Sequence, residues 1–183
     1  MAGPRFPTVR DLYEAFPTAQ DDIGMAVNDE PSLAFLKSLA ASQIWDAAIS
    51  FCAYLLPRRE AVWWGCQSLR HMVDLAPHEE DILALAEAWV REPEEDSRRA
   101  ALDYGSQADT QLPATWMALA AGWSGGSVVP TEMGIVPAAP HQTARAIRAG
   151  LMIAMTRVPN EEMANVMAPC VESGLALAAG TPS

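Results

Sequence analysis

Pro57-Arg58-Arg59-Glu60-Ala61-Val62-Trp63-Trp64-Gly65-Cys66-Gln67-Ser68-Leu69-Arg70-His71-Met72-Val73 is the stretch that decides the fold class. Proline suits the first helical position, where its missing N–H would have had no partner. The spacing therefore predicts a helix opening at Pro57. Ala61, Gly65 or Cys66, Leu69, Met72 and Val73 recur every three or four residues and make one apolar stripe. Val62, Trp63 and Trp64 are consecutive, and at about 100° per residue they spread around the axis. A helix apolar around much of its circumference needs neighbours on several sides. It is expected to be the central helix of a multi-helix body.

Upstream, Ser42 is expected to cap a helix carrying Ile44, Trp45, Ala48, Ile49, Cys52, Leu55 and Leu56, which runs directly into Pro57. Pro31 opens one carrying Leu33, Phe35, Leu36 and Leu39. Thr8, with Asp11 three residues on, reads as a capping box for a short helix ending near Phe16. Residues 1–7 read as a mobile tail and residues 18–29 as a polar connector. Downstream, Pro77, Pro93 and Pro159 are each followed by acids, a combination that suits a helix start because acids complement the dipole. Leu112-Pro113 opens a helix that Gly125-Gly126 stops, and Pro140 opens a long one through Met155. Pro169 is expected to kink or divide the last helix. Residues 125–139 read as an extended loop whose Val128, Val129, Ile135 and Val136 lie over the core.

Alternation of useful length is missing, apart from Ser127–Val129 and Ile135-Val136. The expected fold class is all-α, a compact bundle of seven to nine helices. Stacked helical hairpins are the alternative. Residues 1–30 form an N-terminal tail, short helix and acidic connector, and residues 31–180 a single helical domain.

Half of the 183 residues are hydrophobic and six are Trp, a composition that excludes disorder for the bulk of the chain. The net charge of −11 disfavours nucleic acid and anionic membrane surfaces, which are bound through basic residues. The apolar run from Ala146 to Met155 carries Arg148 and falls short of the ~20 residues that span a bilayer. Cys52, Cys66 and Cys170 are odd in number and set among apolar residues, so they read as reduced, buried thiols. The expected setting is the cytoplasm.

Three groupings bear on chemistry. Gly122-Trp123-Ser124-Gly125-Gly126 matches the G-x-S-x-G of hydrolase nucleophile elbows, a motif that needs a strand before the serine and a helix after it. Here a helix precedes and a loop follows, so the stretch reads as a helix C-terminus with Gly125 or Gly126 left-handed. Cys66, His71 and His78 do not share the spacing of a metal site. Trp63, Gln67, Arg70 and His71 share one side of the central helix and read as a docking patch, with pairing of Arg70 to Asp74 as the plain alternative. No cofactor motif is present.

The segments Arg59-Glu60-Ala61-Val62-Trp63-Trp64, Trp89-Val90-Arg91-Glu92-Pro93, Trp123-Ser124-Gly125-Gly126-Ser127 and Pro140-His141-Gln142-Thr143-Ala144-Arg145-Ala146 occur in an order that resembles a family of uncharacterised small α-helical bacterial proteins. The likeness spans about residues 32–178. Some members are encoded near type VI secretion genes, which implies an accessory or effector-handling role. The resemblance marks Arg59, Glu60, Trp63, Trp123, His141 and Arg145. The expected function is a non-enzymatic protein-interaction module, an adaptor or chaperone linked to a secretion system. Its partner, another protein, is met through Arg59, Trp63, Gln67, Arg70, Trp123, His141 and Arg145 or through the 125–139 loop. The alternatives are a toxin-neutralising (immunity-type) protein, and a small-ligand-binding or hydrolytic domain using Ser124 and His141.

Overall fold

The structure, a computed structural model, describes residues 3–180. Ten α-helices run in order: α1 Val9–Ala15, α2 Ala19–Ile23, α3 Ser32–Ala41, α4 Trp45–Leu55, α5 Arg58–Met72, α6 Pro77–Arg91, α7 Glu95–Gly105, α8 Pro113–Gly122, α9 Gln142–Met155 and α10 Met163–Ala178. The fold is all-α and compact, and the described residues contain no strand beyond two isolated bridges. Nine of the helices have at least seven residues; α2, with five, is the addition to the expected range. In a solenoid each unit touches only its neighbours in sequence. Here α10 returns to pack on α3, α4 and α5, which closes the bundle.

The predicted central helix is α5, beginning one residue later with Pro57 as its cap. It packs against α4, α6, α8, α9 and α10. It shares the centre with two others. Every residue of α4 except Asp46 is buried, and every residue of α8 except Trp116. Both are apolar all round, as helices enclosed on all sides must be.

The N-terminal segment differs from the expectation. Residues 3–7 are tied down: Phe6 stacks edge-on against Phe16, and the Pro7 carbonyl accepts the Ser32 N–H at 2.9 Å. Residues 1–2 and 181–183 of the expected tails lie outside the described residues. The expected connector contains α2, whose Ala19 and Ile23 are buried, and α2 packs on α4. Two apolar residues on one face of a short polar stretch suffice once a neighbour covers them; of the acids that make it look like linker, Asp21 is exposed while Asp22 turns in to Tyr54 and Arg145. Ser42 caps nothing ahead of α4; it closes α3, and Gln43 makes the corner with φ +56°. Of the three proline-plus-acid signals, only Pro77 sits inside the first turn of its helix. Pro93 precedes the Glu94 cap of α7, and Pro159 caps a 3₁₀ turn, Asn160–Glu162, that leads into α10. Pro169 leaves α10 unbroken. All three thiols are free and buried.

Among the described residues no helix is long and apolar enough to cross a membrane.

Candidate functional site

Arg58 and Arg59 open α5, where the helix dipole disfavours cations. Their side chains leave that end. Arg58 donates to the Ser124 carbonyl at 2.8 Å, and Arg59 Nε donates to the Val90 carbonyl at 2.8 Å. Both acceptors stand at or just beyond a helix C-terminus, of α8 and α6, where carbonyls lack helical partners. The C-terminus of α4, the helix just before them in sequence, receives neither of these bonds. Arg59 thus borders a shallow groove with Glu60, Trp63, Val90 and Arg91, and Trp63 is 38% exposed.

The residues of the expected patch on α5 have different neighbours. Arg70 is engaged by α6, with Nε on Glu87 at 2.7 Å and Nη1 on Glu80 at 2.6 Å; Asp74 is not its partner. Gln67 and His71 line another groove, with Ser68, Pro169 and Ser173. Trp63 and Gln67 thus border different grooves, and Arg70 is held by two acids of α6. Cys66 is buried while His71 and His78 are exposed. Among the described residues no three His, Cys, Asp or Glu side chains gather as metal ligands.

Trp123, His141 and Arg145 do come together. They line one groove of about 410 Å³ with Trp116, Arg148 and Asp22. Arg145 grips Asp22 of α2 through Nε at 2.8 Å and Nη2 at 3.2 Å, and the Tyr54 hydroxyl donates to the same carboxylate at 2.5 Å. Burial works against the Asp22 charge, but the bonds from Arg145 and Tyr54 outweigh it and hold the carboxyl below its usual range. Burial, followed by the adjoining Asp22, pushes the Tyr54 hydroxyl up to about 12.

Sequence reasoning missed Asp22, Trp116 and Arg148. For two of them a signal existed. His141, Arg145 and Arg148 are spaced four and three apart, one helical face; Trp116 and Trp123 are seven apart, two turns. Asp22 lies 123 residues from Arg145, and no local pattern joins them.

The loop after α8 is held by arginines, and Arg98 makes the most bonds. Arg98 of α7 is 3% exposed. Its guanidinium donates to the Gly122 carbonyl at 2.5 Å, to the Ser127 carbonyl at 3.0 Å and to both carboxylate oxygens of Glu95. Those bonds hold the Glu95 carboxyl below its usual range. Arg99 adds a bond to the Val129 carbonyl at 3.1 Å. Ser127 then pairs with Pro137 in an antiparallel bridge, and Val128 N–H donates to the Val136 carbonyl at 2.8 Å. The loop's apolar residues were expected on the core. Instead Met133 is 72%, Ile135 84% and Val136 46% exposed, while Val128 and Val129 are half-buried. The hairpin-like pairing satisfies the backbone at its base and carries the tip away from the helices.

The glycines of the G-x-S-x-G match have other reasons to be there. A Cβ on Gly122 would lie 2.7 Å from the Leu102 Cα, so α8 and α7 touch backbone to backbone. Gly126 has φ +59°, and a Cβ there would meet the Arg98 guanidinium. The Ser124 hydroxyl donates to the Ala121 carbonyl at 2.5 Å, and no histidine is among its partners. Replacing Gly122 by alanine is expected to cost about 2 kcal/mol, since helix backbone must move to admit the methyl. Chemical unfolding checks this; an unchanged midpoint would refute the close approach.

Residues 35–178 match a family of unknown function, DUF6931. The chain belongs to that family. The matched segment begins inside α3 and ends with α10, so both grooves on α5 and the whole 125–139 loop fall within it. Asp22 and α2 lie outside it, so the family segment supplies the groove's arginines and tryptophans and the N-terminal segment adds the acid. No curated protein and no solved structure matches the chain.

Proposed function

We propose that this DUF6931 protein is a non-enzymatic protein-interaction module, an adaptor or chaperone that presents the loop between α8 and α9 to another protein. The observation that carries the reading is the combination of a rigid base and an apolar tip. A buried arginine fixes residues 122–127, yet Met133, Ile135 and Val136 stand in solvent. A tip this apolar costs free energy in water unless something covers it. Fixing its base in advance lowers the ordering cost of binding. The secretion-system setting rests on the resemblance in motif order alone. The hydrolytic alternative gains nothing from Ser124, whose hydroxyl is spent on Ala121. The immunity-type alternative draws on the −11 net charge, which would suit a basic toxin.

The test is affinity capture from the native host with wild-type protein and with the double variant Met133→Asp, Ile135→Asp. Both positions are exposed, so unfolding stability should stay within about 0.5 kcal/mol of wild type. A specific partner should be retained by wild type and lost by the variant. Equal capture by both would sink the loop as the contact surface. Rescue from a co-expressed toxin that survives the double substitution would favour the immunity reading.

A further inference from the structure

The groove bordered by Trp116, Trp123, His141, Arg145, Arg148 and Asp22 lies apart from the loop tip and carries a charge unlike the rest of the molecule. Arg145 and Asp22 cancel each other, and Arg148 leaves the groove with one positive charge in a protein of net −11. Arg148 is fixed in place. Its Nε donates to Ser50 Oγ at 2.9 Å, and Ser50 Oγ in turn donates to the Asp46 carbonyl at 2.7 Å. The two terminal nitrogens of Arg148 have no hydrogen-bond partner among the described residues, and they belong to a side chain lining the groove. Trp116 spends its indole N–H on the Thr110 carbonyl, whereas the indole N–H of Trp123 has no partner among the described residues. The groove thus offers donors without matching acceptors, beside two broad aromatic surfaces.

From this we infer that the groove binds a monocarboxylate with an aromatic or flat apolar body. The planar guanidinium fork of Arg148 matches a carboxylate's two oxygens. One surplus positive charge balances one negative charge, whereas a di- or triphosphate would bring uncompensated anion into an acidic protein. The indoles of Trp116 and Trp123 supply apolar area for the body of the ligand. About 410 Å³ lies within the usual range for a small-molecule pocket. Two sources share this chemistry: a free aromatic acid, and the C-terminal carboxylate of a peptide ending in an aromatic residue. The inference does not depend on the loop reading above, since it uses none of the loop-tip residues.

The indole N–H signals of uniformly ¹⁵N-labelled full-length protein report binding, with the Trp116 and Trp123 signals assigned by their loss in Trp116→Phe and Trp123→Phe. The probes are phenylacetate, the tripeptide N-acetyl-Ala-Ala-Phe with a free carboxylate, the amide of each, and inorganic phosphate. One or both acids should move the Trp116 and Trp123 signals saturably at millimolar concentration, and each amide should bind about tenfold more weakly or worse. Tighter binding of the tripeptide would assign the peptide source, and tighter binding of phenylacetate the free acid. Arg148→Gln should weaken binding by a similar factor. Arg148→Lys keeps the charge, loses the fork, and should fall between; it also serves if Arg148→Gln fails to fold. Amides that bind as well as acids, phosphate that binds better than either acid, an Arg148→Lys protein that binds like wild type, or no saturable shift would each overturn the inference.

Discussion

Trp64→Ala is expected to lower the unfolding free energy by about 4 kcal/mol, a large share of what a domain of this size holds. Trp64 has no exposed surface and lies on the side of α5 that meets α10. Its indole N–H donates to the Cys170 carbonyl at 2.8 Å, across 106 residues of chain. The indole sits against α10 so closely that a Cβ on Gly174 would lie 3.0 Å from Trp64 Nε1 and 2.8 Å from Cys52 Sγ. Truncation therefore removes apolar contact, opens a cavity and deprives a buried carbonyl of a donor at once. Trp64→Phe separates the parts. It keeps a six-membered aromatic ring but loses the donor and the smaller ring, so about 2 kcal/mol should go. Guanidinium unfolding followed by circular dichroism measures both, since tryptophan fluorescence would change with the substitution itself. A loss under about 1 kcal/mol for Trp64→Ala would mean that the α5–α10 contact is not a principal support of the fold.

Arg98→Ala should cost about 3 kcal/mol, with a local signature that Trp64→Ala lacks. The guanidinium is buried and satisfies two backbone carbonyls at the end of α8 and the start of the loop. Without it those carbonyls keep their burial and lose their donor. Glu95 is largely exposed and can return to water, so its release adds little. The local signature is amide exchange. Val128 and Val136 N–H groups, bonded across the loop base, should exchange faster by a larger factor than the global loss of stability predicts. Arg98→Lys should behave nearly as badly, because one ammonium cannot span three acceptors in a plane. Unchanged exchange at Val128 and Val136 would show that the loop base holds without Arg98.

The helices were legible for ordinary reasons. Apolar residues at helical spacing, with proline near most starts, gave α3 to α9 to within about three residues, whereas α10 starts at Met163, beyond the 3₁₀ turn that Pro159 opens; Ser127–Val129 was the place to look for extended pairing. The candidate site was legible in fragments. Trp123, His141 and Arg145 were marked singly by motif order, and they do share a groove. The partners of Arg70 were not legible, since a helical wheel has no knowledge of where Glu80 and Glu87 will stand. The loop was misjudged because hydrophobicity reports a preference for burial, while whether a segment reaches the core depends on backbone pairing at its ends.

The amino-acid order alone determined that this chain is all-α, because periodicity and capping act over three or four residues and need no distant partner. Only the tertiary structure decided which cations are spent and which are free. Arg98, Arg58 and Arg59 are committed to carbonyls at helix ends, Arg70 and Arg145 to carboxylates, and Arg148, which lines the groove, has two nitrogens without a partner among the described residues. Those assignments join residues up to 123 positions apart, and Coulomb and hydrogen-bond energies fall off over a few ångströms of space with no regard to distance along the chain.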